Sequence, residues 1–343
     1  MKAAIIKRFG GPENIELADL PTPTPGPGEV LVRVRATALN HLDVWVRNGI
    51  PAYKISLPHV LGSDVAGEVE ALGPLVKSVR VGSRVSVAPG RSCWGCEYCL
   101  GGRDNYCAEY GIIGAHGGPG GYAEYLCVPQ MYLLPAPDSM SFEEAAAYPL
   151  TMLSAWHMLV ELGRVGAGQV VVVMGAGAGM GAAAIQVAKF AGARVIAVST
   201  SPDKLEKAKA LGADDAVACP PGDIVRQVAA FTGGAMADIV VEHVGPAVFE
   251  SALRALKRGG RLVTCGATTG PTVSLDLRLV FSRQLHIRGS YMGSLRAMRL
   301  VSRLVGEGRL RPVIDRTFPL SQARAAHEYL ESRKQFGKVV LKV

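Results

Sequence analysis

Residues 170–190 read VVVVMGAGAGMGAAAIQVAKF: a β-branched apolar run passes through closely spaced glycines straight into a helical stretch. A strand that turns so quickly into a helix must pack that helix back onto the sheet to which the strand belongs. The pattern recurs downstream, where ARVIAV, ADIVVEHV and GRLVTCG alternate with the helical runs PDKLEKAKALGA, DIVRQVAAF and FESALRALK. Such alternation predicts βαβ units and an α/β fold with a parallel, doubly wound sheet, over residues 151–289.

Upstream the texture is different. Ala3–Lys7, Val30–Ala36, Val65–Leu72, Gly82–Pro89 and Gly120–Val128 read as strands separated by Pro/Gly punctuation such as PTPTPGPGE, which predicts a β-rich domain over residues 1–150. FEEAAAYPLTMLSAWHMLVEL reads as a helix with Ser141 as its N-cap. Helical runs near Ser294–Val305 and Leu320–Arg333, and a closing strand KVVLKV, are expected to bring residues 290–343 back to complete the first domain. Two domains are the natural expectation for 343 residues.

Glycines between a strand and a helix let the backbone approach a pyrophosphate, and the helix offers free N–H groups and the positive end of its dipole. Gly175, Gly177, Gly179, Met180 and Gly181 therefore read as the phosphate-binding loop of a nicotinamide dinucleotide site, with Gly266 after a later strand also near the cofactor. NAD sites usually carry Asp or Glu about 20 residues beyond the glycines, on the ribose hydroxyls. Counting from Gly179, that place falls on Ser199, followed by Thr200 and Ser201, with Lys204 close by. Three hydroxyls and an ammonium suit a 2′-phosphate, so the reading favours NADP(H) and leaves NAD(H) open; Asp203 reads as first-turn helix chemistry after a Ser201 cap.

The second chemical signal is CWGCEYCLGGRDNYC, which sets Cys93, Cys96, Cys99 and Cys107 in C-x2-C-x2-C-x7-C spacing within a lobe at about residues 91–109. Four thiolates this close can enclose one tetrahedral Zn²⁺ with no open position, a structural site. An iron–sulfur run would place its fourth cysteine sooner and follow it with proline, whereas Ala108 follows here. Seven cysteines, four of them assigned to metal, fit a reducing cytoplasm better than a disulfide framework.

Composition excludes several classes. Hydrophobic residues at 49% and charged residues at 19% describe a globular chain with a substantial core. No run resembles a signal peptide or a membrane span. The net charge of +8 is spread along the chain with no basic block, so neither nucleic acid nor a membrane is an expected partner.

PGPGEVLVRVRATALNHLD, LPHVLGSDVAGEVEALG, GGYAEY, the cysteine lobe, GAGAGMG, GGRLV and GKVVL together resemble the medium-chain dehydrogenase/reductase superfamily over nearly the whole chain. The resemblance implies a GroES-like catalytic domain and a Rossmann domain with the active site between them, and a homodimer or homotetramer. It also implies where this chain departs. The zinc-dependent alcohol dehydrogenases hold a catalytic zinc at positions that match Asn40, Ser63 and Leu150, and relay a proton through a hydroxyl that matches Leu42. An amide, a hydroxyl and an alkyl group are poor ligands for a metal that needs three good donors and an open position. The stretch at Asn40, with Asp43 three residues on, is instead similar to the zinc-free quinone reductases.

The expected chemistry is NAD(P)H-dependent reduction of a quinone or α,β-unsaturated carbonyl, whose negative charge is already delocalised, with Asn40, Asp43, Tyr53 and Asp64 as candidate catalytic residues. An atypical metal site formed by His59, Asp64 and Asp43, supporting alcohol oxidation, and a non-catalytic NADPH-binding protein are the competing expectations. His116 reads as an exposed loop residue, His157 and His327 as surface or packing residues of helices, Glu242-His243 as a strand end near the cofactor, and LRLVFSR as core and subunit contact.

Overall fold

The ten residues EVLVRVRATA form the strand Glu29–Ala38, whose apolar members are buried along its length. Three partners share it. Asp64–Leu72 runs antiparallel along one edge; along the other, Tyr125–Pro129 pairs with its first half and Lys338–Lys342 with its second. With Arg84–Val87, Leu133–Pro135 and Ile314–Pro319 these make a seven-stranded sheet that the last strand of the chain completes. Val30, Val32, Val34, Val65, Val85, Val87 and Leu126 form its core. A second cluster of small residues, Ala36, Ala38, Ala66 and Ala145–Ala147, brings the helix Phe142–Ala147 close onto the sheet.

Residues 1–51 and 53–343 are described by the computed structural model, and they divide into two units: Met1–Leu150 with Ser294–Val343, and Thr151–Gly293. The second boundary lies at Gly293, four residues past the 289 read from sequence. Ser141 caps its helix in a capping box: its Oγ accepts the Glu144 N–H at 3.2 Å, and Glu144 Oε2 accepts the Ser141 N–H at 2.9 Å. The long helix expected beyond it is broken. Phe142–Ala147 ends before Pro149, whose ring removes a backbone donor; Pro149–Trp156 follows and widens into a π turn over His157–Leu162.

The second unit holds a six-stranded parallel sheet in the order Asp215–Ala218, Arg194–Ser199, Val170–Val173, Ala237–Glu242, Leu256–Thr264, His286–Gly289. Taken in chain order this is 3-2-1-4-5-6, the Rossmann arrangement. Val172, Ile196, Val240 and Leu262 are fully buried in its core. In LRLVFSR, Leu279 and Val280 pack against that core, while Leu277 and Phe281 are 66% and 69% exposed, and no residue of the helix Leu277–Ser282 is buried.

Gly62, in the first unit, has φ +100°, and a Cβ there would lie 2.3 Å from Tyr122 Cδ1. Gly82 has a similar φ, +83°, with nothing within 4 Å. Gly82→Ala should therefore cost only the left-handed strain of roughly 1–2 kcal/mol, whereas Gly62→Ala adds overpacking of roughly 1–3 kcal/mol. Urea unfolding of the two variants checks this; equal losses would contradict the packing assignment.

Candidate active site and metal centre

In the first unit the strand register assembles a buried polar cluster. Ala38 pairs with Asp64 and with Val340, and extending the second register by two residues brings Lys338 opposite Asn40. Asp64 is fully buried, and Lys338 Nζ reaches its Oδ2 at 2.8 Å and Asn40 Oδ1 at 2.5 Å. Asn40 Nδ2 also donates to Asp64 Oδ2 at 2.9 Å and, with a long bond of 3.4 Å, to the Ala38 carbonyl. The other oxygen of Asp64 accepts the Leu150 N–H at 2.8 Å. Two positions implied as ligand sites by the resemblance, Asn40 and Leu150, thus bond to one carboxylate already paired with an ammonium, and the third, Ser63, precedes it in sequence. Ser63 Oγ and His59 Nε2 are buried and have no hydrogen-bond partner among the described residues. Burial holds His59 below its ordinary pKa, in the neutral form.

Asp43 has a different occupation. Asn40 is the N-cap of the helix His41–Asn48, and Asp43 closes its capping box by accepting the Asn40 N–H at 2.7 Å. The Asp43 carboxylate also accepts the Gly62 N–H at 3.1 Å and the Tyr122 hydroxyl at 3.3 Å. Beyond Tyr122 the network continues to His327 Nε2 at 3.2 Å, and from His327 Nδ1 to Arg47 at 3.0 Å; Arg47 then makes a bidentate pair with Glu331, both bonds 3.0 Å. His327, read from sequence as a surface or packing residue, is fully buried and hydrogen-bonded; burial beside Arg47 pushes it down to about 3, a neutral imidazole. Tyr53 stacks on His116 with ring centroids 4.0 Å apart, and His116 is half-buried with Nε2 3.0 Å from the Tyr110 carbonyl oxygen.

In the second unit, the helix Gly179–Phe190 begins beside the glycine loop. Its N-cap is Ala178, which has no side-chain acceptor, so the first N–H groups are left for a ligand. A Cβ on Gly181 would stand 2.4 Å from the Gly175 carbonyl, and one on Gly177 would strike the Lys204 side chain at 2.4 Å. Backbone contact thus demands glycine at 181, and at 177 it is the Lys204 side chain that lies across the loop. The loop residues thus fit a dinucleotide pyrophosphate.

At the end of the next strand the Ser201 N–H donates to Ser199 Oγ at 3.1 Å, and the Ser201 hydroxyl donates to Asp203. Ser201 therefore makes no side-chain cap of the following turn, contrary to the sequence expectation. Thr200 is exposed. Glu242 is spent on structure, accepting the Val244 and Gly245 N–H groups and the Thr264 hydroxyl, so it forms no acid/base pair with His243. His243 packs on Gly175 with Nε2 lacking a partner among the described residues, and a Cβ on Gly266 would meet the His243 carbonyl at 2.6 Å.

The four lobe cysteines have ligand atoms within 4.8 Å of one another, and no other group of three or more His, Cys, Asp or Glu side chains converges this way among the described residues. Neighbouring sulfurs stand 3.5, 3.6 and 3.9 Å apart. Four sulfurs roughly 2.3 Å from one Zn²⁺ would stand about 3.8 Å apart, so the cluster fits that ion. Backbone N–H groups of Gly95 and Cys96 lower the Cys93 thiol to about 7, which helps it bind as thiolate. His59, Asp43 and Asp64 do not form a second such group.

Two family models match: the alcohol dehydrogenase GroES-like domain over residues 26–138, and the zinc-binding dehydrogenase domain over residues 179–307. An alcohol dehydrogenase of Geobacillus stearothermophilus is 32% identical, the match covering 100% of each chain. A quinone oxidoreductase of Pseudomonas aeruginosa is 31% identical, covering 97% of each. A solved structure described as an NAD-dependent alcohol dehydrogenase superposes with TM-score 0.96 at 50% identity, covering 100% of both chains. The chain belongs to the medium-chain dehydrogenase/reductase superfamily and is an NAD(P)-dependent oxidoreductase.

Lys338, Tyr122 and Arg47 are polar residues that sequence reasoning passed over. Lys338 carried one signal: it opens the strand KVVLK directly before the apolar run Val339–Leu341, and the first four residues of that strand are buried.

Burial raises Asp43 from the ordinary carboxylate range to about 6, despite the two backbone donors. A carboxyl raised on folding contributes stability at acid pH that is lost as pH rises through the folded value. At 1.36 kcal/mol per pH unit, the stability of wild type relative to Asp43→Asn should fall by about 2 kcal/mol between pH 4 and 7. Urea melts of both proteins across that range test this, and a pH-independent difference would contradict it.

Proposed function

We propose that this chain is an NADPH-dependent reductase of quinones or α,β-unsaturated carbonyls that uses no catalytic zinc and keeps a structural zinc in the cysteine lobe. One observation carries the reading: at the ligand positions the donors are Asn40, Ser63 and Leu150, and the carboxylate beside them is paired with Lys338. This donor set does not fit Zn²⁺, which needs anionic or imidazole ligands. The cofactor, when bound, supplies the hydride.

The chain's own part is to hold it and to stabilise charge on the substrate oxygen. Gly175, Gly177, Gly179, Met180, Gly181 and Gly266 cradle the dinucleotide, with Ser199, Thr200, Ser201 and Lys204 toward a 2′-phosphate. The support for NADPH is Lys204 beside the loop and Ser199 where an acid would repel a phosphate; Asp203, held on Ser201, opposes it. Ser63 Oγ and the Asn40 Nδ2–H held weakly by the Ala38 carbonyl are the uncharged donors offered to a carbonyl oxygen, each worth a few kcal/mol in a dry site. Asp64 and Asp43 act by positioning Asn40 and Gly62, and Tyr53 by lining the loop beside His116. A quinone or enone, with its charge delocalised, needs no more than this; an unactivated alcohol does.

Alcohol oxidation is the second reading, favoured by the solved relative at 50% identity described as an NAD-dependent alcohol dehydrogenase. Apolar side chains exposed near the edge strand His286–Gly289, among them Phe281 and Ile287, support a homodimer or homotetramer. Four cysteines assigned to zinc and three others outside any disulfide support a cytoplasmic setting.

Assays of quinones, enones, aldehydes and primary alcohols side by side should give NADPH-dependent quinone or enone reduction that EDTA leaves intact. Lys204→Ala should weaken NADPH about tenfold while leaving NADH unchanged, a loss of about 1.4 kcal/mol. Robust alcohol oxidation abolished by EDTA, or NADH bound more tightly than NADPH by wild type, would overturn the corresponding part.

A further inference from the structure

We infer that Arg91 is an anion-binding residue that anchors a carboxylate on the substrate, which, resting on the reductase reading above, narrows its quinone or enone to an acid. Gly90–Arg91 pairs antiparallel with Gly111–Ile112, and this fixes the Arg91 backbone just before the cysteine lobe. The residue is only partly exposed, and its guanidinium makes one hydrogen bond, from Nη2 to the Cys127 carbonyl at 3.2 Å. Its Nε is buried without a partner, and Arg91 enters no ion pair among the described residues. Tyr132, Glu29 and Cys127 act on it through space, whereas the four lobe cysteines do not; the Glu29 carboxylate is itself engaged by the Gly26 N–H at 3.0 Å. A guanidinium cannot shed its charge, and withdrawing that charge from water without a partner is costly. A half-buried cation with spare donors therefore suits an anion that arrives with a ligand.

The remaining nitrogen, Nη1, faces the loop that borders the candidate site. A Cβ on Gly118 would lie 3.6 Å from it. The Gly118 carbonyl accepts the Gly114 N–H at 2.9 Å, and Gly114 packs so closely on Gly62 that a Cβ there would stand 2.6 Å from the Gly62 backbone. Gly62 precedes Ser63, whose unpartnered Oγ is offered to the substrate carbonyl. Arg91 is thus separated from the reacting end by one loop, and the same loop carries His116, stacked on Tyr53. One guanidinium with Glu29 nearby balances a single negative charge, which a carboxylate supplies and a phosphate dianion exceeds. The planar fork of arginine also matches carboxylate geometry.

The test compares benzoylacrylate, an enone acid, with its methyl ester as substrates of the full chain with NADPH. Arg91→Met should lower the acid-to-ester ratio of kcat/KM at least fivefold, through the KM of the acid. A smaller shift, or equal losses for acid and ester as a merely structural arginine would give, would overturn the inference. Should the Met variant lose its near-UV circular dichroism, Arg91→Gln takes its place with the same criteria. A second measurement is independent of turnover: naphthoate and naphthamide are titrated by calorimetry into the NADPH-loaded chain. Naphthoate should bind at least fivefold more tightly than the amide, a preference that Arg91→Met removes. A smaller preference, including no binding by either, would overturn the role of Arg91. If neither enone is reduced while naphthoate keeps its Arg91-dependent preference, the reductase reading fails and the anion site stands.

Discussion

The ion pair between Lys338 and Asp64 is the interaction on which the first unit turns. Both charges are out of water, a costly arrangement that survives only when the remaining donors and acceptors are met. Asn40 and the Leu150 backbone meet them. The pair joins three distant parts of the sequence: the end of the strand Glu29–Ala38, the start of Asp64–Leu72, and the closing strand Lys338–Lys342. The C-terminal residues are thus part of the candidate site as well as of the sheet, and losing them would leave Asp64 a buried, unpaired charge.

Around this pair the unit separates two polar systems that meet at Asn40. Its side chain belongs to Asp64 and Lys338, while its backbone N–H belongs to Asp43. The second system, Asp43–Tyr122–His327–Arg47–Glu331, links the helix His41–Asn48 to the helix Ala323–Glu331 and explains why Gly62 must lack a side chain, since the Tyr122 ring packs where it would be. Neutral His327 and the raised Asp43 follow from the same burial that holds the network together.

Much of this was legible in the chain. The glycine loop between VVVVM and AAAIQVAKF announced the parallel sheet, and the cysteine spacing announced the lobe, because both are local patterns whose geometry is set by a few consecutive residues. Ser141 gave the helix start for the same reason. What stayed hidden depends on register. Lys338 lies nearly 300 positions from Asn40 (298 apart) and meets it only because an antiparallel pairing brings the two opposite each other. His327 looked like an ordinary helix residue because the side chains that hold it, Arg47 and Tyr122, come from elsewhere. Asp43 also closes a helix capping box; a carboxylate three residues after an Asn is the pattern of a cap, and that signal was available. Pro149 likewise marked the break in the helix that followed Ser141.

We propose that the chain keeps a metal for shape and lacks the donors for one that does chemistry. Anomalous diffraction at the zinc edge, from crystals grown with NADPH and excess Zn²⁺, tests it most directly. The account predicts one peak, surrounded by Cys93, Cys96, Cys99 and Cys107, and Lys338 still bonded to Asp64 and Asn40. A second peak bonded at Asn40, Ser63 or Asp64, with Lys338 displaced, would contradict it.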